Sequence, residues 1–111
     1  SASGRRAERL RELARLYEDD LEDLAASEVH WHAAYVADAG DAESFDALER
    51  LARKRDDWPA LRALYASGLA RGGPRPEAQL QTQLGLLLLE GFEDPAAARA
   101  AFEAALAQEP K

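Results

Sequence analysis

The strongest constraint on the fold of this chain is a pattern of large apolar residues that recurs about every 35 residues. Three leucines lie 35 and 36 residues apart, and three aromatic residues lie 34 and 37 residues apart. These residues are Leu13, Leu48 and Leu84, and Trp31, Tyr65 and Phe102. A period of this length holds two helices, and such helix pairs stack because none can bury its apolar face alone. The sequence therefore predicts three stacked helix pairs.

The residue composition favours helices and argues against a β-sheet. Ala, Leu, Glu and Arg dominate the chain, and the β-branched residues that strands favour are Val29, Val36 and Thr82 alone. Aspartates beside Gly or Pro, near positions 41, 57 and 94, are typical of helix starts. We predict six helices, at about residues 5–20, 24–38, 42–55, 58–70, 77–90 and 95–108.

The three periods resemble tetratricopeptide repeats, whose motif is W-x₂-L-G-x₂-Y in the first helix, then A-x₃-F and P. The third period carries Leu84-Gly85, Leu88, Ala98, Phe102, Ala105 and Pro110, and the first carries Leu13-Ala14, Tyr17, Ser27, Trp31 and Ala34. The second period departs most, with Glu49 in place of the small residue, Ala52 in place of Tyr, and Leu61 in place of Ala. A small residue on the first helix of a pair lets the aromatic of the second helix come close to it. Because Glu49 stands at this position, we expect the two helices of the second pair to cross in a shifted way.

This resemblance implies an all-α fold, a right-handed α-solenoid of three helix-turn-helix repeats at about residues 7–41, 42–75 and 77–111. An unrelated α-solenoid and an irregular six-helix bundle are the alternatives. The length of 111 residues fits one domain, which we place at residues 5–111. Residues 1–4 are interpreted as a linker or a cloning remnant, and the missing initiator Met indicates a piece of a longer protein.

The charge and residue counts exclude several classes of function. Fourteen Lys and Arg against 21 Asp and Glu give a net charge of −7, which opposes nonspecific binding to nucleic acid or to an anionic membrane. The absence of Cys excludes disulfides, zinc–cysteine sites and thiol catalysis. No apolar run approaches the roughly 20 residues of a membrane span, and no signal peptide is visible, so we expect a cytoplasmic location. The Ala, Leu and Arg content is typical of a GC-rich bacterial genome.

The groups that could carry chemistry have structural interpretations. In His30-Trp31-His32 the two histidines point about 200° apart on a helix and cannot share a metal ion, so we expect a buried Trp31 between surface histidines. The acidic residues 18–23 lack the spacing of a calcium loop and predict a solvated turn with a helix cap. Residues 71–76, rich in Gly and Pro, predict an inter-repeat turn. We expect no catalytic residue, no metal ion and no cofactor.

The charges are distributed unevenly along the chain. Residues 16–49 hold eleven acidic residues and no Lys or Arg, and basic residues follow. In tetratricopeptide repeats the first helices of the pairs line a concave groove for extended peptides, so the resemblance implies that basic residues of the first and third helices face this groove. They are Arg11, Arg15, Arg50, Arg53 and Lys54. Such a groove would hold a peptide with carboxylates or a free C-terminus. The alternative is a solvated helix face with pairs such as Glu49–Arg53.

The fifth helix and the turn after it hold more apolar residues than one helical stripe needs. They are Leu86, Leu87, Leu89 and Phe92. Because the last repeat of a solenoid exposes an apolar face, we expect these residues to meet further repeats or to self-associate. The sequence therefore predicts a non-catalytic scaffold module that binds a protein or peptide, with an acidic partner as one candidate. A homotypic assembly module and an accessory regulatory region of a larger enzyme are the alternatives.

Overall fold

Six α-helices make up most of the computed structural model, which describes residues 2–108. They are α1 (Ala2–Arg15), α2 (Leu24–Ala37), α3 (Ala42–Lys54), α4 (Trp58–Arg71), α5 (Glu77–Glu90) and α6 (Pro95–Gln108). No strand occurs within residues 2–108, and each helix packs against its neighbours in the chain. The predicted all-α arrangement is confirmed. Ser1, assigned to a linker, and Pro110, assigned to the end of the third repeat, lie outside the described residues.

Helix α1 differs at both ends from the sequence prediction. It begins at Ala2, so residues 2–4 form its first turn rather than a linker, because good helix formers follow them. Their origin as a cloning remnant stays a prediction. At its other end the helix widens into a π turn, Leu16–Asp20, in which the N–H of Leu21 donates to the carbonyl of Leu16 at 3.0 Å. The π turn adds an i→i+5 hydrogen bond at the point where the chain leaves the helix.

The turns inside the three helix pairs share a left-handed residue and a capping aspartate, although the second turn is one residue shorter than the other two. A residue with a φ of 51–53° precedes an aspartate that caps the second helix. The turns are Glu22-Asp23, Asp56-Asp57 and Glu93-Asp94. Each aspartate donates its backbone N–H to the first helix at 2.7–2.9 Å, and its carboxylate accepts the N–H three residues later at 3.1 Å. These turns lie 34 and 37 residues apart, as the aromatics do, so the repeat extends to the backbone.

The turns between pairs are less alike. Asp41 caps α3 by accepting the N–H of Ser44 at 3.3 Å, as its position after a glycine predicts. Gly72 ends α4 with a φ of 70°, a left-handed conformation that glycine adopts without steric cost. Residues 73–76 then lead to α5, so the predicted inter-repeat turn is confirmed.

The stacked pairs form a flat body that measures 41 × 31 × 17 Å, with a radius of gyration of 15.0 Å. A globular chain of this length has a radius of gyration of about 13 Å. The helices are therefore spread in a layer rather than gathered around one centre. Broad helix faces consequently remain in contact with solvent.

Two of the three repeat aromatics are buried, and the third lies at the end of the stack. Trp31 and Tyr65 belong to one core cluster that extends from α1 to α5. Phe102 is half-buried against a smaller cluster between α5 and α6, because no further helix covers it within residues 2–108. The positions four residues before the aromatics, which are Ser27, Leu61 and Ala98, are all buried. The three aromatics thus hold equivalent positions with unequal burial.

Gly85 lets α5 and α6 approach more closely than any side chain would. A Cβ atom built on Gly85 would lie 2.5 Å and 2.7 Å from two ring carbons of Phe102. Both distances are well below van der Waals contact. Gly85 is the small residue of the third motif, and its role here is close packing rather than backbone freedom.

We predict that Gly85→Ala lowers the free energy of unfolding by about 1–3 kcal/mol, because the new methyl group displaces the Phe102 ring. This loss occurs even though alanine favours a helix by about 1 kcal/mol over glycine. Urea denaturation followed by circular dichroism measures the change. In a Phe102→Leu variant the smaller side chain leaves room for the added methyl group. Adding Gly85→Ala to that variant should therefore lower the free energy of unfolding by less than it does in the wild type, or should raise it. A Gly85→Ala variant that is more stable than the wild type would contradict the packing argument.

Candidate functional site

Two of the basic residues predicted to line a peptide groove pair with carboxylates at the start of α3. Arg11 donates to Asp41 at 2.9 Å, and Arg15 donates to Glu43 at 2.5 Å. Burial raises the pKa of the Asp41 carboxyl, but hydrogen bonds from Ser44 and Arg11 outweigh burial and hold the pKa below its usual range. The two arginines therefore join α1 to α3 across the stack.

A third predicted groove residue, Arg50, pairs with the π turn. It donates to both carboxylate oxygens of Glu18, at 2.6 Å and 2.8 Å, and Glu18 also accepts the indole N–H of Trp31 at 3.1 Å. Burial raises the pKa of Glu18, but these hydrogen bonds and the charge of exposed Lys54 lower it overall. The sequence placed Glu18 in a solvated turn and missed these contacts, because its partners are distant in the chain.

Arg75, which lies in the turn between α4 and α5, joins the second helix pair to the third. Its guanidinium donates to Asp46 at 2.7 Å, to Glu49 at 2.8 Å and 2.9 Å, and to Gln83 at 2.8 Å. It also lies over the ring of Phe45, 4.6 Å from the ring centroid. A proline on each side of Arg75 restricts the backbone and was the one sequence signal of a fixed conformation here.

The departure from the repeat motif at Glu49 is explained by Tyr65. The Tyr65 hydroxyl donates to Glu49 at 2.5 Å and accepts a hydrogen bond from Arg53 at 2.9 Å. The hydrogen bond from Arg75 holds the pKa of Glu49 below its usual range against the effect of burial. Burial raises the pKa of Tyr65, and its bond to Glu49 raises it further. The predicted Glu49–Arg53 pair is present at 4.0 Å, and α3 and α4 pack less closely than the other two pairs.

A largely apolar groove lies between α2 and α4, with α3 as its floor. It consists of two adjoining clefts of about 240 Å³ and 450 Å³. We call it the α2–α4 groove, and its apolar lining includes Ala25, Val29, Leu48, Ala52, Ala60 and Ala63. Exposed His32 also lines it, and the hydroxyls of Tyr35 and Ser67 hydrogen bond across it at 3.1 Å. The sequence did not reveal this groove, because it depends on the spacing of two helices that are not adjacent in the chain.

The outer face of α2 is apolar although it contacts solvent. Val29 and Val36 are 66% and 57% exposed, while Trp31 and Tyr35 on the inner face are buried. A helix that is apolar on both faces is usually covered on both. The outer face of α2, together with the groove beside it, is therefore an apolar surface that remains in contact with solvent.

The four residues predicted to form one self-association face do not share a surface. Leu87 is only 6% exposed and belongs to the main core, and Phe92 is half-buried beneath Arg62, whose guanidinium carbon lies 4.7 Å from its ring centroid. Leu86 and Leu89 are exposed. The predicted face is wrong for Leu87 and Phe92, because α5 packs against both α4 and α6 and buries two stripes.

A different apolar patch covers the end of the stack. Leu89 lines it together with Phe102 and Leu106, and Leu106 is 72% exposed. Arg99 and Glu103 also line the patch. We call these residues the end patch. Its apolar members belong to α5 and α6, the two helices whose outward side the sequence predicts to be apolar.

The histidines have unequal surroundings. Trp31 is buried and His32 is exposed, as predicted. His30 is half-buried rather than at the surface: its ring stacks on Tyr17 with centroids 4.9 Å apart, and its Nδ1 donates to the carbonyl of Ala26 at 2.8 Å. Across residues 2–108, no three His, Asp or Glu side chains form a group that could hold a metal ion. None of the helices in this described span has the length and apolar composition needed to cross a membrane.

We predict that Glu49 makes stability depend on pH in the acid range. Its pKa is lower in the folded chain than the usual value of about 4.3, so its contribution is present at neutral pH and is lost as the pH falls through the folded pKa. Glu49→Gln should lower the free energy of unfolding at pH 7 by about 1–2 kcal/mol and flatten its decline between about pH 5 and pH 2. Urea titrations at each pH measure both effects. Glu12→Gln, in an exposed pair, is the control and should change the free energy of unfolding at pH 7 by less than about 0.5 kcal/mol. Equal pH profiles for the wild type and Glu49→Gln would contradict the prediction.

Comparison with known proteins gives no match for this chain among protein-family models, curated proteins or solved structures.

Proposed function

We propose that this chain is a non-catalytic module that binds a protein or peptide, that its repeats are of the tetratricopeptide type, and that it acts as part of a larger protein or assembly. Three features support the repeat type: the common turn geometry, the buried positions before each aromatic, and the close approach at Gly85. They involve the same motif positions that carry the sequence resemblance.

The observation that carries the proposal is the α2–α4 groove with the exposed apolar face of α2 beside it. Val29 and Ala63 line the groove from its two sides, and Leu48 lies at its floor. Covering about 300 Å² of apolar surface contributes on the order of 7 kcal/mol before the entropic cost of association. A micromolar complex needs about 8 kcal/mol net of that cost, so other contacts must add to the apolar contribution and the partner must lose little conformational entropy on binding. A rigid helical partner fits this requirement.

The charged face of α1 and α3 is a weaker docking surface. Arg11, Arg15 and Arg50 each pair with a carboxylate of the same chain. An acidic peptide would have to displace these carboxylates, so its binding would replace existing pairs rather than add new ones. A preference for acidic partners at this face stays a prediction.

We predict that helical peptides selected for binding to the wild-type chain lose at least tenfold in affinity for an Ala63→Gln variant. The longer side chain fills the groove without changing the charge, and glutamine keeps the helix. Fluorescence anisotropy measures the affinity, and amide chemical shifts locate the peptide.

Ala100→Gln is the matched control for this experiment. Ala100 is exposed on α6 and stands two residues before Phe102, as Ala63 stands two residues before Tyr65. The control should bind with unchanged affinity. Equal affinities for both variants, or shifts confined to other helices, would contradict binding in the groove.

A second candidate function is homotypic assembly through the end patch. The specific observation is the exposure of Leu106 next to half-buried Phe102 at the end of the stack. A second copy or a further repeat would bury both residues. The third hypothesis, an accessory region of a larger enzyme, stays a prediction that the flanking gene sequence can decide.

We predict that Leu106→Gln weakens self-association without affecting the fold, because this side chain is already largely in solvent. Sedimentation velocity over a hundredfold concentration range measures the mass. Leu16→Gln, which changes an exposed leucine in the π turn, is the control and should associate as the wild type does. A wild-type chain that stays monomeric at the highest concentration would rule out the assembly hypothesis.

A further inference from the structure

The outer face of α2 has the spacing of a helix-binding surface. Ala25, Val29, His32 and Val36 are all exposed and lie four, three and four residues apart. This spacing places them in one stripe along the helix, the arrangement through which helices pack side by side. The inner face of α2 already packs on α1 and α3. The outer stripe is therefore free to contact another helix.

The opposite wall of the groove suits the close approach of a helix backbone. Ala60, Ala63 and Ser67 line it from α4, at steps of three and four residues, and all are small. Leu48 and Ala52 form an apolar floor. A channel with Val29 and His32 on one wall and alanines on the other accepts a ridge of medium-sized apolar side chains, such as Leu or Ile. It suits a helix better than an extended strand, because the groove offers no unpaired backbone edge.

The charges around one end of this groove are predominantly negative. Glu28 lines the groove, and Asp56 and Asp57 lie at the start of α4. Asp23 caps α2 two residues before Ala25. Arg55 is shared between Glu28 at 2.6 Å and Asp57 at 3.1 Å and offsets one of these charges.

The opposite end of the groove has a different charge. Arg71 donates to the carbonyls of Val36 and Tyr35, at 3.1 Å and 3.4 Å, and its guanidinium lies 4.8 Å from the centre of the Tyr35 ring. Its positive charge stands at the C-terminal end of α2. The groove thus runs from an acidic end, at the start of both helices, to an end where Arg71 in the last turn of α4 is balanced by Asp38 at the C-terminus of α2.

We infer that the α2–α4 groove binds an amphipathic helix whose apolar ridge is flanked by Lys or Arg, with these cations directed to the acidic end formed by Asp23, Glu28, Asp56 and Asp57. This inference rests on the proposed function and specifies the chemistry of its partner. The apolar ridge enters the groove, and the flanking cations give the complex its orientation and its dependence on salt.

The experiment uses a library of 14-residue helical peptides that share an apolar ridge and carry Lys or Glu at every flanking position. Peptides are selected on the wild-type chain, with Ala63→Gln as the counter-selection target. Selected peptides should carry Lys at most flanking positions, and a matched pair that differs only in Lys or Glu should differ at least tenfold in affinity. The affinity of the Lys peptide should fall as salt rises.

A charge variant with a matched control tests the acidic end directly. Asp56→Asn with Asp57→Asn removes two charges, while asparagine tolerates the positive φ at position 56 and caps a helix at position 57. Affinity for the Lys peptide should fall about threefold to tenfold. The control variant, Glu93→Gln with Asp94→Asn, removes the same net charge from the equivalent turn before α6. The affinity of this variant for the Lys peptide should stay within about twofold of the wild-type value.

The outcomes separate this inference from the proposed function. Selected peptides that are neutral or acidic, or an equal loss in the two charge variants, would overturn the inference and leave the binding function in place. A wild-type dimer that Ala63→Gln dissociates would overturn it as well, because a second copy would then occupy the groove. If no peptide binds the wild type more tightly than Ala63→Gln, both the inference and the proposed use of the groove are wrong.

Discussion

The turn inside each helix pair determines the rest of the structure, because it sets where the second helix begins relative to the first. In all three turns a left-handed residue precedes an aspartate whose carboxylate caps the second helix and whose backbone N–H donates to a carbonyl of the first. The carbonyls that accept this hydrogen bond belong to Tyr17, Ala52 and Leu88, which are spaced 35 and 36 residues apart like the motif leucines. Once the second helix is fixed in this way, the aromatics Tyr65 and Phe102 meet the equivalent positions of their first helices, Glu49 and Gly85.

The three pairs accommodate this aromatic in different ways. A buried indole or phenol needs a hydrogen-bond partner for its polar atom. The indole N–H of Trp31 finds Glu18, and the hydroxyl of Tyr65 finds Glu49. Phe102 has no polar atom and packs directly against the place where Gly85 lacks a side chain. In the second and third pairs the aromatic and the residue at the small position of the motif therefore vary together, and the combination of Glu49 with Tyr65 in the second repeat is a matched pair.

Features that depend on local sequence could be predicted, and features that depend on long side chains could not. The bounds of α5 and α6 and the caps at Asp41, Asp57 and Asp94 follow from propensity and capping chemistry. The Arg50–Glu18 pair spans 32 residues, and its geometry depends on how α3 stacks on the π turn. Periodicity likewise detects surplus leucines in α5 but cannot tell which of them face α4 and α6. The α2–α4 groove escaped prediction for the same reason, since it requires the relative position of two helices from different pairs.

Differences between equivalent positions of the three repeats indicate which part of the surface is specialised. The position two residues before the aromatic is Val29 in α2 but alanine in α4 and α6, and the position five residues after it is Val36 in α2 and again alanine in the other two. All six residues lie on outer helix faces and are exposed, so core packing does not select the larger side chains in α2. Alanine also favours a helix more than valine does. The first repeat therefore carries larger apolar groups in solvent at some cost to its own stability, a cost that the proposed contact with a partner along α2 would offset.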